Sequence, residues 1–401
     1  MNNGGFGMAI NDKNIPKGWK KVKLGEVAEI NMGQSPKSEF YNTEGKGLPF
    51  LQGNRTFGYR FPKIDTYCTN PIKIAKKGEI LFSVRAPVGD INIANQDICI
   101  GRGLAALKAK NDNNIFLFYL LNYFKEEILN SEAGTVFGSI NKNDLKNLEI
   151  LLPPLEEQKA IASVLSSLDD KIDLLHRQNQ TLEKMAETLF RKWFIEDAKE
   201  DWEEGTIGQL ISVQSGFAFK SKDFKNNGID HVIKIKNIKG GIINLEDTDF
   251  IDSKVAEKIG KQFQISSGDV LIAMTGAEIG KLGIVPNTNK KLWLNQRVGL
   301  LKEKYPFARF LAYLQLKSDY GQEHITNTAG GSAQPNISGE GIENCGFPKI
   351  SEEQIISYSK QVGELYTKVI YNLGQIRTLE KLRDALLPKL MSGEIRIMNN
   401  E

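Results

Sequence analysis

The sequence predicts an α+β chain that contains one design twice. Two mixed α/β globular regions are each followed by a long helix, and the two helices pair antiparallel as a coiled coil about a pseudo-twofold axis. Three observations predict this. The segment TLEKMAETLFRKW, starting at Thr181, returns as TLEKLRDALLPKL, starting at Thr378. Further motifs recur in the same order in both halves, the mark of an internal repeat. Each copy ends on apolar residues spaced by sustained steps of four and three, which is the heptad pattern of a helix seam.

The bulk composition sets the bounds. A chain of 401 residues has room for two or more ordinary domains. Net charge is only +3, so any nucleic-acid surface must arise from local clustering. Cys68, Cys99 and Cys345 lie far apart and form no paired framework, which suits a reducing, cytoplasmic setting. The opening MNNGGFGMAINDKN has no basic segment followed by an apolar core, and reads as a frayed tail rather than a leader. No run of about 18 apolar residues is present, so no membrane span is expected.

In chain order, GWKKVKLGEVAEINMGQ (Gly18–Gln34) aligns with DWEEGTIGQLISVQSGF (Asp201–Phe217), Trp19 on Trp202, Gly25 on Gly208 and Gly33 on Gly216. KGEILFSVRAPVGDINIA (Lys77–Ala94) matches SGDVLIAMTGAEIGKLGIV (Ser267–Val285), each a short strand, a glycine-bearing turn and a second strand. LPPLEEQ (Leu152–Gln158) then matches FPKISEEQ (Phe347–Gln354), and TLEK follows in both. The offset between copies drifts along the chain, as loop insertions would produce. The expected divisions are a tail over 1–15, a globular region over 16–152, a long helix over 153–197, a second globular region over 198–347 and a second long helix over 348–396.

Prolines followed by Glu156 and Glu157 suit the start of the first helix, where carboxylates face the positive end of the dipole. Its seam is Ile161, Leu165, Leu168, Ile172, Leu175, Asn179, Leu182, Ala186, Leu189 and Trp193. The second seam is Tyr358, Val362, Leu365, Val369, Asn372, Ile376, Leu379, Arg383, Leu386 and Leu390, with Pro388 expected to bend or end the last turn. If the helix midpoints coincide, Asn179 faces Asn372, and two buried amides fix register at some cost in stability. The Thr, Glu and Lys of TLEK are then surface groups around Leu182 or Leu379.

The globular regions read as short strands, among them Glu79–Val84, Asp90–Ala94 and Asp269–Met274, followed by helical stretches at Asn114–Leu129 and Pro306–Ser318. Basic residues cluster from Lys46 to Arg85 with Phe57, Tyr59, Phe61 and Tyr67 interleaved, and again from Lys220 to Lys239. A charge run alone is usually a solvated face. Clusters in both copies, with Gln52, Asn54 and Asn237 nearby, point to phosphate contact and base-edge reading.

Catalytic chemistry is not legible. No Asn/Asp-Pro-Pro-aromatic tetrapeptide for methyl transfer to a base amine occurs. TGAEIGKLG (Thr275–Gly283) has the wrong glycine spacing for a phosphate loop and Leu282 where a magnesium-binding hydroxyl should stand, so it reads as a β-turn. His176, His231 and His324 have no metal-ligand spacing.

The entry GWKKVKLGEVAEI and the helix start PPLEEQKAIASVLSSLDDKID, with the duplication, resemble the DNA specificity (S) subunits of type I restriction-modification systems from Pro16 to about Arg396. The resemblance implies two target recognition domains, each reading one half of a split, asymmetric duplex site. It implies antiparallel helices that set the spacing and dock methyltransferase (M) subunits, with translocase/nuclease (R) subunits joining. It also implies that this chain is not itself an enzyme, and that S-adenosylmethionine, ATP and magnesium belong to the partners. The seam from Ile161 to Trp193 would span about 48 Å, or roughly 14 base pairs as an upper estimate. The second copy departs at Phe347-Pro348-Lys349, where the first has a double proline.

The candidate DNA contacts are Arg55, Arg60, Lys63, Arg85 and Arg102 in the first region, and Lys234, Lys236, Asn237, Lys239, Lys281 and Arg297 in the second. Arginine suits bidentate guanine contact, asparagine adenine, and lysine phosphate. GNRTFGYRFPK (Gly53–Lys63) has no close match in KNIKGGIINLE (Lys236–Glu246), which predicts unequal half-sites. The rival readings are a self-contained nuclease or methyltransferase, a coiled-coil scaffold without DNA contact, and a specificity subunit of a methylation-only or single-chain-type system.

Overall fold

Both globular regions wind their strands in the same order. The structure is a computed structural model describing residues 15–125, 139–198, 202–330 and 335–397. Residues 1–14 of the expected tail over 1–15, the end of the helical stretch at 126–129 and Asp201 lie outside the described residues. By internal contacts the chain forms two compact units, Met1–Asp170 with Glu380–Glu401, and Lys171–Leu379.

In the first unit Lys20–Lys23 pairs antiparallel with Glu149–Leu152. A four-stranded antiparallel sheet runs in the order Ala28–Met32, Leu104–Ala109, Ile80–Ser83, Ile91–Ile93. A five-stranded sheet runs Tyr41–Asn42, Tyr67–Cys68, Leu48–Leu51, Ile98–Ile100, Ile74–Ala75, and its one parallel pairing joins Leu48–Leu51 to Ile98–Ile100.

The second unit repeats this strand for strand. Glu204–Thr206 pairs with Gly346–Pro348. Ile211–Ser215, Val298–Glu303, Val270–Ala273 and Leu282–Ile284 follow in sheet order, with Gly241–Ile243 and Ile238–Lys239 added at the edge. The other sheet runs Phe224–Lys225, Asp249–Ile251, Asp230–Ile233, Lys291–Leu294, Gln264–Ile265, again with one parallel pair at its centre. The repeated glycines have a shared steric cause: a Cβ at Gly33 would lie 2.1 Å from the Gly101 carbonyl oxygen, and one at Gly216 would lie 2.4 Å from that of Asn295. Only glycine lets the backbones cross so closely.

The strands read from the sequence form within a residue or two of their expected bounds, at Ile80–Ser83, Ile91–Ile93 and Val270–Ala273, because alternating or continuous apolar runs are buried there. The loop read as a turn is one: Gly276–Glu278 links two antiparallel strands. Helix Asn114–Tyr123 starts where the Asn113 side chain accepts from the Phe116 amide, and Ala308–Lys317 is its counterpart.

The first long helix covers Leu155–Arg191 and continues as a π-helical turn over Lys192–Glu196, while the second covers Glu352–Met391. In the first unit, Asp169 of one helix bonds Arg383 of the other, and Glu157 bonds Arg396 just beyond the second helix. In the second unit Asn179 meets Asn372, and Trp193 stacks on Tyr358 at 4.5 Å. In both units the number on one helix rises as that on the other falls, so the helices run antiparallel. Ile172, Leu175 and Ile376 close the seam. Thr181, Lys184, Thr378 and Lys381 face solvent, and Leu182 and Leu379 are half-buried.

Two details differ from the sequence reading. The second helix continues through Pro388 to Met391. So near the end, the missing N–H costs one bond and the Ser392 amide still donates to the Pro388 carbonyl. The same helix also buries a further face, with Tyr366 stacked on Phe310 at 4.8 Å, so its apolar stripe is wider than a bare seam.

The two matched motifs of the first copy meet. Glu157, 7% exposed, accepts from the Trp19 indole at 3.0 Å and from Arg396 at 2.7 and 3.0 Å. Gln158 donates to the Pro153 carbonyl and accepts from Asn111. Among the described residues, no helix is long and apolar enough to cross a membrane.

Candidate nucleic-acid interface

Strand ends decide where polar side chains emerge. In the first unit, Leu48–Leu51 and Ile98–Ile100 are parallel and therefore end together, with the Gly101 amide on the Leu51 carbonyl at 2.8 Å and the Gly103 amide on that of Gln52 at 3.1 Å. Ser83 lies opposite Leu104, so the chain leaves one strand toward Arg85 at the same end where it enters the other from Arg102. Side-chain bonds tie these turns into one rim. Ser35 Oγ exchanges a hydrogen bond with Gln52 and accepts from the Arg102 amide at 3.2 Å. Asn54 donates to the Pro87 carbonyl and to Asp90.

Of the first-region candidates, Arg55, Lys63, Arg85 and Arg102 are exposed. Arg55 forms a solvated ion pair with Asp65 at 2.8 Å, which is weak enough to be exchanged for a phosphate or base edge. Arg60 is a correction. It is 5% exposed and bound to Asp170 of the first long helix, where a buried guanidinium needs a carboxylate partner. It anchors its loop and is not presented at the rim.

The second unit builds a matching rim. The Met274 amide bonds the Arg297 carbonyl, the Ala273 amide that of Lys281, and the Gln296 amide that of Phe217. Gly241–Ile243 runs parallel to Leu282–Ile284, so Lys239 emerges at that same end. Lys239, Lys281 and Arg297 are exposed, with Lys281 paired to Glu278. Lys234 lies over the Phe224 ring and bonds Asp249 at 2.9 Å, and Lys236 bridges Asp247 and Asp249. Burial raises the Asp249 carboxyl, but its bonds to these two lysines outweigh it and hold the group below the ordinary carboxylate range.

Asn237 is the second correction. It is 1% exposed; its oxygen caps the Lys234 amide and its amide donates to the carbonyls of Asp247 and Asn244. With its polar groups spent on the turn, it shapes the loop and does not offer an adenine contact.

Gln296 is a further exposed polar residue at this rim, absent from the sequence candidates. Aligning the turn of ICIGRGL (Ile98–Leu104) with LWLNQRV (Leu292–Val298) puts exposed Gln296 on Arg102, so the repeat itself held the signal. His231 bonds Thr248 at 2.7 Å and His324 bonds the Gly341 carbonyl at 2.8 Å. Among the described residues, no group of three or more His, Cys, Asp or Glu side chains is placed to hold a metal ion. Each rim presents guanidinium, ammonium and amide donors, the groups that engage phosphates and base edges.

A family profile described as the type I restriction modification DNA specificity domain matches residues 16–184 and 199–358. The chain is 28% identical to the type I restriction enzyme MjaIX specificity subunit of Methanocaldococcus jannaschii, over 96% of this chain and 95% of that one. It is 48% identical to the putative MjaX specificity subunit of the same organism, over 42% of this chain and only 41% of that relative. Among solved structures, the type I restriction-modification S subunit from M. genitalium matches with a TM-score of 0.65 at 20% identity, covering 96% of this chain and 98% of that one, a likeness of fold.

Proposed function

The chain belongs to the type I restriction modification DNA specificity family, and from that premise we propose that it is the DNA-reading subunit of a type I restriction-modification complex. Each globular region reads one half of a split, asymmetric site. One observation carries this: the same fold places different donors at equivalent rim positions. Gln52 in one unit stands where Lys234 stands in the other, exposed Arg55 where buried Asn237 stands, Arg85 where Thr275 stands, and Arg102 where Gln296 stands. Equal scaffolds with unequal contacts suit a non-palindromic target.

The long helices set the spacing between half-sites and dock methyltransferase subunits. Support comes from large apolar side chains left exposed along them, including Leu174, Met185, Ile195, Tyr371 and Leu382, which a docked partner would cover. Methyl transfer and cleavage, with S-adenosylmethionine, ATP and magnesium, then fall to methyltransferase and translocase/nuclease partners.

The test is to co-express the chain with its methyltransferase partner and map modified bases. Two dissimilar half-sites separated by unread bases are expected. A palindromic site, or methylation without sequence preference, would overturn the reading.

A further inference from the structure

We infer that Asp169 is a positioning residue for DNA reading: it ties the recognition loop of the first unit to the helix pair that sets the spacing. This rests on the DNA-reading function proposed above. The loop leaves strand Leu48–Leu51 with Gln52–Arg55 at the rim and rejoins the sheet at Tyr67. Midway, Tyr59 and Arg60 reach the first long helix. Asp169 is 2% exposed and accepts three donors from three different elements. The Tyr59 hydroxyl of the loop donates at 2.8 Å, the Tyr119 hydroxyl of helix Asn114–Tyr123 at 2.5 Å, and Arg383 of the second long helix at 2.9 Å. Arg383 also bonds the Tyr59 hydroxyl directly, and Arg60 takes the adjacent carboxylate, Asp170.

Stability alone does not ask for this arrangement. A buried ion pair is often no better than packed apolar side chains of the same volume, and its best-attested use is to specify geometry. Here the geometry specified is that of a loop whose far end carries Arg55. The carboxylate that meets Arg383 across the helix pair is the one that holds Tyr59. A displacement of either helix at this level therefore moves the anchor of the loop. Close networks of this kind act as a unit, so their members couple non-additively.

The experiment uses the full chain in its methyltransferase complex, with duplexes altered in one half-site at a time. Asp169→Asn keeps the volume and removes the charge. It should raise KM for DNA and reduce discrimination at one half-site by roughly tenfold, the scale of one lost charge-assisted hydrogen bond. Discrimination at the other half-site and kcat at saturating DNA should stay unchanged. Tyr59→Phe, which removes one hydroxyl and leaves the ion pair, should act in the same direction by about threefold, and the double variant should be no worse than Asp169→Asn. Wild-type discrimination at both half-sites in Tyr59→Phe and Asp169→Asn would overturn the inference, as would equal loss at both. Absence of any sequence preference in the wild-type complex would instead overturn the DNA-reading function, and the inference with it.

Discussion

Asn372 Nδ2 donates to Asn179 Oδ1 at 2.8 Å inside the helix seam, with both residues at most 5% exposed. The bond is single: the Asn179 amide nitrogen and the Asn372 carbonyl oxygen have no protein partner. The pair thus spends stability on register, because a shift by one turn would bury each amide against an aliphatic side chain of the opposite seam. Asn372→Leu alone should cost about 1–3 kcal/mol by stranding Asn179. Asn179→Leu with Asn372→Leu should recover most of that while loosening register. Denaturation midpoints of the three variants, with cysteine crosslinking across the seam, check both halves of this expectation.

Spacing should follow helix length. One heptad added to both long helices extends the pair by about 10 Å, or roughly three base pairs. The unread gap in sites mapped by base modification should widen accordingly, with both half-sites unchanged. An unaltered gap would remove the spacing role of the helices.

Rim and anchor residues should separate experimentally. Arg102→Ala and Arg297→Ala should each weaken binding through a different half-site by about 1–3 kcal/mol if the side chain reads a base. If it contacts phosphate, the salt slope should fall by about one instead. Asn237→Ala should lower the melting temperature of the chain, since it strips the turn of its buried cap. Equilibrium binding against salt, with half-site-altered duplexes, distinguishes these outcomes.

Gly33→Ala and Gly216→Ala should each destabilise the protein by more than about 2 kcal/mol, because the added methyl meets backbone that cannot move aside without breaking the sheet. Thermal unfolding measures this. Gly45→Ala meets no atom within 4 Å and serves as a comparison at a surface turn, its positive φ giving only a smaller strain.

Alkaline pH should loosen the first unit through the two phenols that donate to Asp169. Burial, then the Asp169 charge, pushes Tyr59 and Tyr119 well above the ordinary value of 10.0. A folded value above the unfolded one means the contribution is complete below pH 10 and is lost as pH rises past it, because the unfolded chain ionises first. The melting temperature should fall above pH 10, and Tyr59→Phe with Tyr119→Phe should make that fall shallower.

Much of this protein was legible before any coordinate. Steps of four and three marked the two seams, and repeated motifs marked the duplication and the glycines at Gly33 and Gly216. These signals are local or self-referential, so a string of residues carries them whole. What the string could not show was which polar side chains the fold consumes. Arg60 and Arg85 look alike in sequence, yet one is drawn 110 positions along the chain to Asp170 and the other is left at the rim. Asn237 likewise looked like a base reader and is spent on its own turn. The tertiary structure decided these assignments, because whether a guanidinium or an amide faces water or a partner depends on contacts between segments remote in sequence, and no periodicity encodes them.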